Sequence, residues 1–145
     1  MERNFDDSMC PENIPYWDID YPIRDLCVAL NAINGVETIE SCCGHGKTHC
    51  HIWLKFDKLE TIYKFLHFCM NHEFHWNLCF DTGDPNLFQE DIGLPVFRLQ
   101  SSDIYDEYII ELLALDLMDC IYKNLDALNT PIAEIKARYN KGGKE

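Results

Sequence analysis

With 145 residues, 47% of them apolar and 12% aromatic, the chain is sized for one domain with a real core and is too apolar for intrinsic disorder. A net charge of −13 excludes the basic stripe with which proteins grip a phosphate backbone, so no direct nucleic-acid partner is expected. No apolar run approaches the ~18–20 residues of a bilayer crossing, and residues 1–7 lack the basic and apolar segments of a secretory signal. A cytoplasmic protein without a membrane partner is therefore expected.

Residues 1–15, with Pro11 and Pro15, read as an irregular arm. Pro22 opens a helix whose apolar stripe is Ile23, Leu26, Cys27, Leu30 and Ile33, and Gly35 ends it. A strand follows over 36–41, then a loop with two glycines. Residues 50–56 alternate, with Cys50, Ile52, Leu54 and Phe56 on one face and His51, Trp53 and Lys55 on the other. Asp57 caps a second helix, with Leu59, Ile62, Tyr63, Leu66, Cys69 and Met70 on its buried side. Strands are expected over 75–80 and 95–100, separated by a loop over 81–93. Asp103 caps the longest helix, with Tyr105, Ile109, Leu112, Leu113, Cys120, Ile121 and Leu128 as its stripe. Pro131 starts a terminal helix, and residues 141–145 fray.

The order α-ββ-α-ββ-α implies a single α+β domain over 1–145. Its sheet is four-stranded and mostly antiparallel, with helices packed on one face. No dinucleotide fingerprint or Walker loop is present. The eight cysteines are expected as reduced thiols, because a chain of this size needs no disulfide staples. Cys27, Cys69, Cys79 and Cys120 fall at core-facing or sheet-facing positions, where a thiol behaves as a small hydrophobe.

Charge is unevenly placed. Residues 81–126 hold eleven acids against Arg98 and Lys123, whereas residues 36–80 hold all six histidines. The acidic flank reads first as a solvated face, and second as a surface that occupies a basic, nucleic-acid-type groove on a partner.

Chemistry concentrates at residues 41–51, Ser-Cys-Cys-Gly-His-Gly-Lys-Thr-His-Cys-His. Gly44 and Gly46 permit a turn whose consecutive N–H groups form an anion-binding nest. Ser41, Cys42, Cys43, Gly44, His45, Gly46, Lys47 and Thr48 are thus the expected binding residues for a small anionic or nucleotide-like ligand, in a concave site. Cys42 or Cys43 activated by His45 is the catalytic alternative, oriented by Asp81, Asp84 or Asp91. Cys42, Cys43, His45 and His49 are the candidate metal ligands. A structural zinc is not favoured, since adjacent cysteines in extended chain point apart and the core looks sufficient without metal. The residues alone name no reaction.

The run Leu30-Asn31-Ala32-Ile33-Asn34-Gly35-Val36-Glu37-Thr38-Ile39-Glu40-Ser41-Cys42-Cys43-Gly44-His45-Gly46-Lys47, followed by His51-Ile52-Trp53-Leu54, resembles a family of small uncharacterised proteins of bacteriophages and prophages. The likeness continues at His75-Trp76 and at Pro95-Val96-Phe97-Arg98-Leu99. It implies a phage-type origin and this fold, and no activity comes with it; the role expected of such a protein in the host cytoplasm is to counter or tune host metabolism or signalling. Thr38, Ser41, Cys42 and Gly44 are also similar to the T-x-S-S-C-S-G-R junction of the wybutosine-synthesis family of tRNA-modifying methyltransferases, with His45 in place of its arginine. That likeness implies the same α+β architecture with a ligand loop at this junction.

Overall fold

The computed structural model describes residues 16–70, 75–80, 88–89 and 94–143. Two 3-10 turns, Tyr16–Asp18 and Tyr21–Ile23, lead into α1 (Arg24–Asn31). β1 (Val36–Cys42), β2 (His51–Phe56), α2 (Leu59–Met70) and β3 (Trp76–Phe80) follow. After a short ribbon of β4 (Phe88–Gln89) and β5 (Leu94–Pro95) come β6 (Phe97–Ser101), α3 (Glu107–Lys123), α4 (Leu125–Asn129) and α5 (Ile132–Gly143). The main sheet is four-stranded, ordered β1-β2-β6-β3, with every neighbouring pair antiparallel. This is the expected α+β fold. β2 and β3 run parallel to each other on either side of β6, and α2 makes the crossover between them.

One sheet face is apolar. Cys50, Ile52, Leu54 and Phe56 are fully buried, joined by Val36, Thr38, Leu99 and Ser101. The opposite face carries pairs such as Glu37 opposite Lys55 and Trp53 opposite Arg98, whose guanidinium lies 5.3 Å from the indole ring. A bulge between Thr38 and Glu40 shifts the register of β1, so that Ser41 pairs with Ile52 and Cys42 with His51. The bulge therefore puts Cys42 on the polar face and leaves Cys43 to turn inward.

Asn31 secures the junction of α1 and β1. Its side-chain amide donates to the Cys27 carbonyl and the Thr38 hydroxyl, both at 2.7 Å, and its carbonyl accepts from the Thr38 N–H at 3.2 Å. Asn31→Ala is expected to lower stability by about 1–3 kcal/mol, because all three bonds serve a buried junction. Denaturant unfolding measures this loss.

The helices depart from the expected stripes. Pro22 lies in the 3-10 turn, and the α-helix begins only at Arg24. In α2 the buried residues are Thr61, Ile62, Phe65 and Phe68, whereas Leu59, Tyr63, Leu66 and Met70 are exposed. The Phe56–Phe65 and Phe65–Phe68 ring contacts decide that rotation. In α3 the buried face is Ile110, Ala114, Leu117 and Ile121, with Leu115 beside it, and Leu112 is exposed. Here α3 packs on α1. Ala29 and Ala114, both almost fully buried, leave room for the two helices to approach. Asp106, not Asp103, caps α3, accepting from the Ile109 N–H at 2.9 Å. The helix stops at Asn124, whose side chain bonds back to the Cys120 carbonyl, so Leu128 belongs to a separate helix. At the other end α5 runs to Gly143, into the segment expected to fray. The arm over 1–15 and most of the loop over 81–93, including Asp81, Asp84 and Asp91, lie outside the described residues.

Every described cysteine is a free thiol. Cys27, Cys43 and Cys50 are buried, and Cys42, Cys69, Cys79 and Cys120 are half-buried. Desolvation pushes the thiols of Cys27 and Cys69 up to about 12, from an ordinary 9.0. An unfolded chain releases these protons from about pH 9 upward, while the folded chain holds them until about pH 12. Their stabilising contribution is complete below about pH 9 and is lost progressively as pH rises to about 12. Melting temperature under reducing conditions should therefore fall through that window, and less steeply in Cys69→Ala.

Candidate functional site

The loop between β1 and β2 is built on an unusual run of backbone. Gly44, His45 and Gly46 take φ values of 89°, 51° and 75°, all left-handed. Glycine adopts this region freely, whereas a histidine there is strained, a condition that clusters at functional sites. The run closes a tight turn in which the Gly44 carbonyl accepts from the Lys47 N–H at 2.9 Å, the Thr48 N–H at 3.1 Å and the Thr48 hydroxyl at 3.4 Å. Beyond the turn, His49 and Cys50 are held by Ser101. The His49 Nδ1 lies 2.9 Å from the Ser101 carbonyl, and the Cys50 N–H donates to the Ser101 hydroxyl at 2.9 Å.

The turn directs His45 back over the core. Its Nδ1 lies 3.5 Å from the Cys43 sulfur and its Nε2 lies 3.5 Å from Oδ2 of Asp20. Asp20 Oδ2 also accepts the Cys43 N–H at 2.9 Å. Asp20 starts the 3-10 turn at Tyr21–Ile23, but its side chain makes no capping bond there and reaches the loop instead. The segment carrying it is anchored by Arg24, which donates to the carbonyls of Ile19 at 2.6 Å and Trp17 at 3.2 Å. The same guanidinium packs among the rings of Tyr16, Trp17 and Tyr21. At the mouth of the corner stands Glu107, in the first turn of α3, with Oε1 4.0 Å from the Cys43 sulfur.

Cys43 is fully buried, and 57% of the His45 side chain is exposed. Burial pushes the Cys43 thiol up to about 11, and the Asp20 and Glu107 carboxylates add to the rise, while the backbone N–H of His45 opposes it.

These positions sort the expected site residues. Cys43 and His45 come together. Cys42 faces away on the sheet, and its sulfur accepts the Gly44 N–H at 3.4 Å. His49 turns its Nδ1 to Ser101, and among the described residues the cluster of potential ligand atoms within 4.8 Å of one another is Asp20, Cys43 and His45, without it. Ser41 is half-buried and its hydroxyl is directed at Cys27. Lys47 and Thr48 are exposed beside Gly46. Four N–H groups of the loop serve the protein itself. Cys43 donates to Asp20, Gly44 to the Cys42 sulfur, and Lys47 and Thr48 to the Gly44 carbonyl. Asp20 and Glu107 are additions that sequence reasoning missed. An aspartate two residues before Pro22 signals a turn, but nothing in the spacing links it to a loop 23 residues later.

A cavity of about 440 Å³ lies elsewhere, between α2, α4 and α5, and is lined by residues that include Tyr63, His67, Phe68, Leu128 and Ile135. No residue of the loop contributes to it. Among the described residues, no helix is long and apolar enough to cross a membrane. No family model, no curated protein and no solved structure matches this chain, so the chemistry of the corner rests on its own geometry.

Proposed function

We propose that the protein is a small phage-type protein of the host cytoplasm that binds a small anionic or nucleotide-like ligand at the loop of residues 41–51. The strained His45 carries this reading. Three successive left-handed residues hold its ring over Cys43 and Asp20, yet leave it open to solvent beside exposed Lys47 and Thr48. With the N–H groups of Cys43, Gly44, Lys47 and Thr48 paired within the protein, recognition falls chiefly to side chains: the Lys47 ammonium, the His45 ring and the Thr48 hydroxyl. Thiol catalysis is the weaker reading. Cys43, His45 and Asp20 stand in the order nucleophile, base and orienting acid, but the sulfur is fully buried and its thiol is held protonated.

The test is thermal unfolding of the full chain with inorganic phosphate and a series of nucleoside phosphates. A ligand at about 100 times its Kd stabilises by about 2.7 kcal/mol. The expected result is a dose-dependent rise in melting temperature for a member of the series, abolished by Lys47→Ala and His45→Ala. No rise with any member, or a rise that survives both substitutions, overturns the reading.

A further inference from the structure

We propose that Asp20, Cys43 and His45 form a binding site for one divalent transition-metal ion of the zinc class, with a fourth, exchangeable position beside Glu107. The inference shares His45 with the ligand reading but does not depend on it, since it requires only the three side chains and not Lys47 or Thr48.

One oxygen, one sulfur and one ring nitrogen of these residues all lie within 4.8 Å of one another. Zinc bound at its usual ~2.0–2.3 Å distances sets tetrahedral ligand atoms ~3.3–3.6 Å apart. The Cys43 sulfur stands 3.5 Å from Nδ1 of His45, and Asp20 Oδ2 stands 3.5 Å from Nε2. These two contacts involve different ring nitrogens and only one can take the ion, so binding requires the exposed imidazole to turn until a single nitrogen faces both Cys43 and Asp20. The donors suit the ion, because thiolate, imidazole and carboxylate together are characteristic of zinc and its neighbours. Asp20 is already oriented, since its Oδ2 is held by the Cys43 N–H. That contact acts as the outer-shell bond that metal-ligating carboxylates usually have.

Binding replaces the S–H bond of Cys43 with a metal–sulfur bond and releases one proton to solvent. The three negative charges of Asp20, Glu107 and the new thiolate are then offset by the two positive charges of the ion, leaving a single negative charge. Glu107, exposed and 4.0 Å from the sulfur, is placed to accept from a water or ligand in the fourth position. This centre differs from a structural zinc built within the loop from Cys42, Cys43, His45 and His49. It draws one ligand from a segment 23 residues upstream.

The experiment is titration of the reduced full chain with cobalt(II) alone, read by the thiolate-to-cobalt charge-transfer band, followed by displacement with zinc. The expected result is one ion per chain, with one proton released per ion. Asp20→Asn and Cys43→Ser are each expected to weaken binding at least about tenfold, while Cys42→Ser and His49→Ala leave it unchanged. Asn at 20 keeps an oxygen for the Cys43 N–H, and circular dichroism shows whether each variant is folded, so a loss in Asp20→Asn alone is informative even if Cys43→Ser unfolds. Chelation should return a folded apo chain. Absence of binding, or binding that follows Cys42 and His49 instead of Asp20 and Cys43, overturns the site. Because no phosphate or nucleotide is present, failure here leaves the ligand test independent, and the reverse also holds.

Discussion

Gly44→Ala is expected to lower the unfolding free energy by about 2–3 kcal/mol and to disorganise the loop that carries His45. Two costs add. At φ 89° any L-residue is strained, and an alanine Cβ would sit 2.3 Å from the Thr48 carbonyl oxygen and 3.1 Å from the His49 carbonyl carbon. Those neighbours are backbone, so relief requires the turn itself to shift. Gly46→Ala separates the two costs. At φ 75° it shares the strain, but its nearest neighbour is Asp106 Cα at 3.9 Å, an ordinary contact. Its expected loss is only about 1–2 kcal/mol. Denaturant midpoints of the two variants check the difference, and amide exchange at Lys47 and Thr48 should accelerate only in Gly44→Ala. Equal losses would mean that the close approach of residue 44 to Thr48 does not govern the turn.

Phe56→Ala is expected to cost more, about 3–5 kcal/mol, through lost burial and the cavity left behind. Phe56 is fully buried at the end of β2 and meets Phe65 of α2 and Phe97 of β6 at ring distances of 5.7 and 5.3 Å. It therefore ties a helix to two central strands. The corner of Asp20, Cys43 and His45 lies near the opposite end of β2, about 17 Å along a six-residue strand. Stability should consequently fall without a matching fall in cobalt affinity while the chain remains folded. Thermal unfolding and cobalt titration of the same variant measure the two separately. A parallel loss of both would show that the corner depends on packing at the far end of the sheet.

Much of the sheet is legible in the sequence. Residues 50–56 alternate because helices cover only one face of the sheet, so burial follows period two, and Cys50, Ile52, Leu54 and Phe56 are all buried as that pattern requires. The two ββα units were legible for a related reason, since the turn and cap residues between them interrupt the apolar periods. Helix rotation was not. α2 and α3 carry large apolar residues around much of their circumference, so several stripes compete. The choice fell to partners that are remote in sequence: Phe56 against Phe65 in α2, and the packing of α1 on Ala114's face of α3.

The loop shows the same division. Its composition, with two glycines, adjacent cysteines and a histidine, determined where a tight turn and reactive side chains would fall, because glycine alone enters the left-handed region without strain. Which of those side chains meet was decided by tertiary structure. The bulge in β1 sends Cys42 outward and Cys43 inward, Ser101 takes His49, and Asp20 arrives from a turn before α1. The partners of four loop N–H groups were settled in the same way, since a carboxylate takes that of Cys43, a sulfur that of Gly44, and a carbonyl those of Lys47 and Thr48. Local backbone preference fixes a turn over a few residues, but the partners of its polar groups are selected by distance in space, which one strand's spacing does not encode.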